Sequence, residues 1–152
     1  MDKTYRIFTD GSAIGNPGPG GWGIVVIQGK KRWEMSGAYP WTTISEMELV
    51  AAVQALRSVN GSARIELHSD SEYLIYGMRV FVSHWQRQGW RNRRGTELQH
   101  RELWRELIEL NANLCIRWIW IRGHSGHRYQ SRADKLAYEA ARSLFAQRNI
   151  AA

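Results

Sequence analysis

Four carboxylates stand where chemistry is expected: Asp10, Glu48, Asp70 and Asp134. Asp10 ends the strand-like run Tyr5-Arg6-Ile7-Phe8-Thr9 and is followed by Gly11-Ser12, while Asp70 ends Arg64 to Ser69 and is followed by Ser71-Glu72. In an open α/β sheet the reactive groups lie beyond the carboxyl ends of the strands. If these two strands are parallel neighbours, their carboxylates stand side by side. Glu48 and Asp134 fall in early turns of predicted helices whose apolar stripes pack onto the sheet, Glu48 one turn before Ala52 and Asp134 between Ala133 and Leu136. All four can therefore converge. Gathered acids raise one another's pKa and destabilise the fold unless cations neutralise them. Carboxylates without a matching Cys/His set favour Mg2+ or Mn2+ over zinc.

Spacing leaves other readings open. Asp10 and Asp70 also suit turn initiation. Glu48 fits a capping box with Ser45 and Asp134 one with Ser131, although Thr43-Ile44-Ser45-Glu46 offers a competing box that would free Glu48. His124 sits in the loop Gly123-His124-Ser125-Gly126, flexible enough to swing, and histidine is the side-chain type that titrates near neutrality. His127 completes His-x-x-His, but without soft ligands nearby it does not read as a zinc site.

The chain's charge points to a polyanion. Lys+Arg 21 against Asp+Glu 14 leaves +7 over 152 residues, and 17 of those cations are arginine, the side chain suited to two-pronged phosphate contacts. Residues 84–105 hold Arg87, Arg91, Arg93, Arg94, Arg101 and Arg105 against Glu97 and Glu102, more than half of the excess. Trp85, Trp90 and Trp104 interleave with them. A cationic protrusion with aromatic plates suits a nucleic-acid backbone; the alternative is a solvated helical face with core tryptophans. Trp104, beside Leu103 and Leu107, reads as core.

The positioning elements follow from periodicity. Tyr5 to Thr9, Trp22 to Ile27 and Arg32 to Tyr39 form a predicted antiparallel meander. Leu49, Ala52, Val53 and Leu56 share a helical face, with Asn60-Gly61 as its stop; Arg64 to Ser69 is a strand. Leu74 to Val82 and Leu103 to Leu114 have helical spacing, Cys115 to Ile121 is a strand, and Ala133 to Leu144 is a final helix. The order β-β-β-α-β-α-α-β-α predicts one domain with a mixed five-stranded sheet, β1–β3 antiparallel and β1, β4 and β5 parallel, covered by helices. The lone Cys115 excludes an internal disulfide, and its apolar neighbours predict a buried thiol. No stretch approaches a membrane span and Met1 to Asp10 lacks a signal-peptide core, so a cytoplasmic location is expected.

Over nearly the whole chain the sequence resembles bacterial ribonuclease HI. The match is carried by Thr9-Asp10-Gly11-Ser12, Gly15-Asn16-Pro17-Gly18-Pro19-Gly20-Gly21-Trp22-Gly23, Met47-Glu48-Leu49, Ser69-Asp70-Ser71, Gly123-His124-Ser125-Gly126-His127 and Asp134. The resemblance implies an RNase H-like fold and a monomeric endonuclease that hydrolyses the RNA strand of RNA/DNA hybrids. Asp10, Glu48, Asp70 and Asp134 would hold two Mg2+, with Mn2+ as a substitute. A pair of metals about 4 Å apart activates water on one side of the phosphate and stabilises the departing 3′ oxygen on the other, leaving 5′-phosphate and 3′-hydroxyl ends. His124 matches the family's proton-passing or product-releasing histidine. Asn16 matches the family's minor-groove contact, Thr43 the DNA-phosphate pocket, and the basic segment the family's handle on the DNA strand; the backbone around Gly11 can approach the substrate closely because glycine has no side chain. No membrane and no obligate protein partner is implied.

The chain departs from the family pattern in places. Ile44, Ser45 and Glu46 replace two asparagines and an arginine; Ser45 keeps a hydrogen-bonding group and Ile44 does not. Glu72 replaces a glutamine of the substrate site, Trp41 an arginine and Phe81 a tryptophan. Glu46 and Glu72 place negative charge beside the phosphodiester, which predicts weaker hybrid binding with the chemistry intact. A non-catalytic hybrid-binding module needs only the basic segment, and another RNase H-like nuclease branch would share the fold.

Overall fold

The computed structural model describes residues 4–59, 61, 63–91 and 98–151. Strands β1 (Thr4–Ala13), β2 (Gly18–Gln28) and β3 (Lys31–Thr42) form the expected antiparallel meander. Helix α1 (Ile44–Arg57) leads into β4 (Arg64–Ser69), which runs parallel to β1; β5 (Cys115–Trp120) adds parallel to β4. The sheet order is β3-β2-β1-β4-β5. Between β4 and β5 lie α2 (Glu72–Tyr76), a π-helical turn (Gly77–Phe81), α3 (Val82–Arg87) and α4 (Arg101–Asn113), and α5 (Arg128–Ala151) follows β5.

Each sheet face has its own cover. Ile7, Ile24, Val26, Ile65 and Leu67 meet the α1 stripe of Leu49, Ala52, Val53 and Leu56, and Trp104 and Leu107 of α4 complete that core. On the other face Phe8 and Val25 meet Ala133 of α5. Helix α5 lies on β1, β2 and β3. Its seat is glycine: a Cβ on Gly21 would fall 2.2 Å from the Ala137 carbonyl oxygen, and one on Gly23 2.3 Å from that of Ala133. Trp104 is fully buried, fills the space a side chain on Gly77 would need, and donates from Nε1 to the Tyr73 hydroxyl at 3.0 Å.

Three expectations change. Strand β1 does not stop at Asp10 but continues to Ala13, pairing Asp10 with Gly23 and Gly11 with Trp22. A partner strand supplies ladder hydrogen bonds to a segment whose own composition reads as turn. The β1–β4 pairing does end, at Phe8 opposite His68, so Asp10 stands just beyond the last β4 partner, and Asp70 is the residue after β4. Cys115 is exposed rather than buried, because it opens the edge strand β5, outside the cover of α5. Finally, α1 ends at Arg57 with Ser58 as its cap, before the predicted stop, and Asn60 lies outside the described residues.

Candidate active site

Asp10, Glu48 and Asp70 come together beyond the β1–β4 pairing, each offering one carboxylate oxygen within 4.8 Å of the others. The backbone brings α1 to β1: a Cβ on Gly11 would lie 2.4 Å from the Glu48 nitrogen and 2.6 Å from the Met47 carbonyl carbon. Glycine here admits the helix, and the helix delivers Glu48. Gly123 does the same for the β5–α5 loop, since its Cβ would meet Asp70 Oδ2 at 3.0 Å. Trp120 Nε1 donates to the Asp70 carbonyl at 3.2 Å.

The caps resolve the ambiguous spacings. Thr43 is the N-cap of α1, its Oγ1 accepting from Glu46 N at 3.2 Å, so Ser45 lies inside the helix and Glu48 serves no cap. Ser131 is also no cap: α5 starts at Arg128, and the Ser131 N–H donates to the His127 carbonyl at 2.9 Å. Asp134 is therefore free of a capping-box role. It is exposed and stands outside the close triad, lining a small cleft with Asp70, Arg122, His124, Ser125 and Gln130. His124 is exposed with φ 54°, and its charge acts on Asp70. His127 packs against Phe8 at 5.0 Å between ring centroids.

Electrostatics follow from this packing. Burial, then the neighbouring Asp70, push Asp10 up to about 9; the Gly11 N–H, donating to Oδ1 at 2.9 Å, only partly offsets them. Burial raises Glu48 to about 7 against a hydrogen bond from Ser71. Asp70 is raised by burial as well, with a hydrogen bond to Asp10 opposing and Asp134 adding to the rise. Carboxylates that resist ionisation together lack a counter-charge, and an all-oxygen donor set matches hard divalent cations. The residues present fit such ions.

Sequence reasoning missed two supports. Ser71 accepts from Leu74 N at 3.1 Å as the cap of α2 while holding Glu48; its only signal was the Asp-Ser-Glu turn. Gln130, 5% exposed, donates from Nε2 to the Thr9 carbonyl at 2.9 Å, tying α5 to β1 beside Asp10. Nothing in its local sequence marks it.

The remaining predicted residues divide. Asn16 Oδ1 accepts from Ile44 N at 2.9 Å and so fixes the start of α1, and Asn16, Thr43 and Ser45 border a hollow with Gln99 and His100. Glu46 lies 3.9 Å from His100, and Glu72 is exposed in the first turn of α2. Trp41, Ile44 and Phe81 are exposed. Arg87 and Arg91 are exposed, whereas Arg93 and Arg94 lie outside the described residues. Trp85 stacks on Phe81 at 5.9 Å and packs against Trp104 at 5.0 Å. Trp90 is only 7% exposed and packs into the core under Arg105, so it is not the open plate that was expected. Its φ of 64° turns the chain so that the indole faces inward.

A carboxylate pocket suited to divalent cations, set beyond the central parallel strands of a basic α/β protein, has the chemistry for metal-assisted hydrolysis of a polyanion. The RNase H family profile matches residues 2–142. A ribonuclease H of Erythrobacter litoralis is 42% identical over 139 residues, 91% of this chain and 96% of its own. Ribonuclease HI of Caulobacter vibrioides is 41% identical, with 93% and 95% covered. Among solved structures, LC9-RNase H1 superposes with a TM-score of 0.83 at 28% identity, over 95% of this chain and 74% of that one. The chain belongs to the RNase H family, enzymes that hydrolyse the RNA strand of RNA/DNA hybrids.

Proposed function

We propose that this chain is an endonuclease that cuts the RNA strand of RNA/DNA hybrids through divalent cations held by Asp10, Glu48 and Asp70, with Asp134 completing the set. The observation that carries the reading is the close carboxylate triad, within 4.8 Å and centred on buried Asp10, in a member of the RNase H family. A pair of bound divalent cations, Mg2+ with Mn2+ as a substitute, supplies Lewis acidity to the phosphate and charge for the departing 3′ oxygen. The chain's own groups do the rest. Asp10 and Asp70 hold the centre, Glu48 is oriented by Ser71, and Asp134 adds charge from α5. His124, on its exposed loop beside Asp70, carries a proton to the leaving oxygen or helps the product depart. Gly11, Asn16, Thr43, Ser45 and Glu72 border the substrate, and Trp85, Arg87, Arg91, Arg93 and Arg94 hold the DNA strand. The products carry 5′-phosphate and 3′-hydroxyl ends, and the enzyme works as a cytoplasmic monomer; among the described residues no helix is long and apolar enough to cross a membrane.

Matched RNA/DNA, RNA/RNA and DNA/DNA duplexes, each incubated with Mg2+ or EDTA, test the reading. Metal-dependent cutting of RNA in the hybrid alone is the expected result. Hybrid binding without cutting would leave only a binding module.

A further inference from the structure

A second basic device lies away from the protrusion. The guanidiniums of Arg128, Arg32 and Arg6 stand 4.9, 5.4 and 5.9 Å from the centre of the Tyr129 ring, converging from α5, β3 and β1. All three arginines are exposed. Gathering like charges costs free energy unless an anion joins them. Local acids answer part of this. Glu34 binds Arg32 at 3.0 Å and grips Arg132 with both oxygens, at 2.8 and 2.9 Å, and Glu66 is the cross-strand neighbour of Arg6. The patch thus sets four guanidiniums against two carboxylates. A guanidinium stacked on a ring keeps its in-plane N–H donors directed outward, the geometry that accepts a phosphate.

The location adds a direction. Gly11 faces α1, so by strand alternation Arg6, Phe8 and Asp10 share the opposite face of β1. Four residues of strand place Arg6 about 13 Å from Asp10. Along that line a nucleic-acid strand can span from the carboxylates to the arginines with a few nucleotides. Arg122, lining the cleft with Asp70 and Asp134, stands at its near end.

We propose that Arg6, Arg32 and Arg128 around Tyr129 bind phosphodiesters of a single-stranded extension of the RNA, where it leaves the hybrid past the active site. The occupant is nucleic acid because the patch continues the catalytic face and its excess charge is positive. The proposal rests on the nuclease reading above.

The test compares binding in EDTA of a blunt hybrid with hybrids carrying a 5′ or a 3′ RNA overhang, using the full chain and Arg6→Gln/Arg128→Gln. Blunt-hybrid cleavage in Mg2+, run in parallel, reports on the nuclease reading by itself. One overhang should tighten binding, and the gain should vanish in the double variant while blunt-hybrid binding and cleavage stay unchanged. With about 0.7 released counterions per contact on single strands, two lost contacts remove about sevenfold of the affinity drop between 50 and 200 mM salt. Arg6→Lys/Arg128→Lys, which keeps the charge, should retain most of the salt dependence and guards against a folding artefact. An overhang without effect, or an equal loss on blunt and overhanging hybrids, overturns the proposal. So would variant-sensitive binding of a labelled oligo-glutamate peptide with no overhang effect, which would assign the patch to an acidic protein.

Discussion

The carboxylate pocket and the basic segment hold opposite charges by opposite means. In the pocket, backbone does the positioning: Gly11 admits α1, Gly123 admits the β5–α5 loop, and Asp10 is 4% exposed. Along 82–101, α3 has no buried residue and Arg87 and Arg91 face solvent. The anionic site is expensive to assemble and exact in geometry, whereas the cationic one is cheap and adjustable. Chemistry at a single bond needs the first arrangement, while a backbone with many equivalent phosphates is served by the second.

Asp10→Asn probes the contrast most sharply. Hybrid cleavage should fall on the order of 1000-fold or more, since the carboxylate at the centre of the triad loses its charge, while hybrid binding in EDTA persists and the metal-free melting temperature rises, because burial no longer opposes an acid there and repulsion from Asp70 is relieved. A variant that loses binding as well would mean the two regions are not separable.

The pH dependence of the metal-free protein comes next. Asp10 and Glu48 are raised to about 9 and about 7 from 3.8 and 4.5, so the folded state binds more protons than the unfolded chain between those values. Stability is then greatest near pH 4 and falls as pH rises toward 9. Urea midpoints across that range in EDTA should decline, and millimolar Mg2+ should flatten the decline. A midpoint that rises with pH in EDTA would contradict the gathering of these acids around buried Asp10.

Gly11→Ala should cost about 1–3 kcal/mol by driving Cβ into the Met47–Glu48 backbone, measured by urea unfolding; in Mg2+ it should cut cleavage more than hybrid binding. Smallest is Arg87→Gln, which should reduce the salt slope of hybrid binding by about 1 with little change in the cleavage rate of bound hybrid. An all-or-none loss there would show that the segment positions the scissile bond as well as holding charge.

Much of this was legible in the chain. Strand alternation and the α1 stripe gave the sheet order's raw material, and the strand-end acids gave the triad, because both obey local periods. Less legible was anything decided by a distant partner. Asp10 reads as a strand terminus until β2 pairs with it. Trp90 reads as a surface aromatic until its positive φ turns it beneath Arg105. Gln130 reaches Thr9 across 121 positions, a relation no window can contain. Asp134 resembled a capping residue because Ser131 has the right spacing, and only the start of α5 at Arg128 removes that reading.

Gly21 and Gly23 have a consequence for mutability. With carbonyls of Ala137 and Ala133 already at the positions their side chains would take, the depth of α5 is set by main chain against main chain. Such a stop does not yield to side-chain volume. Substitutions among Leu49, Val53 or Leu56, on the far face of the sheet, can thus drift without carrying Asp134 along, so the α1 core and the acid on α5 are free to evolve on separate schedules.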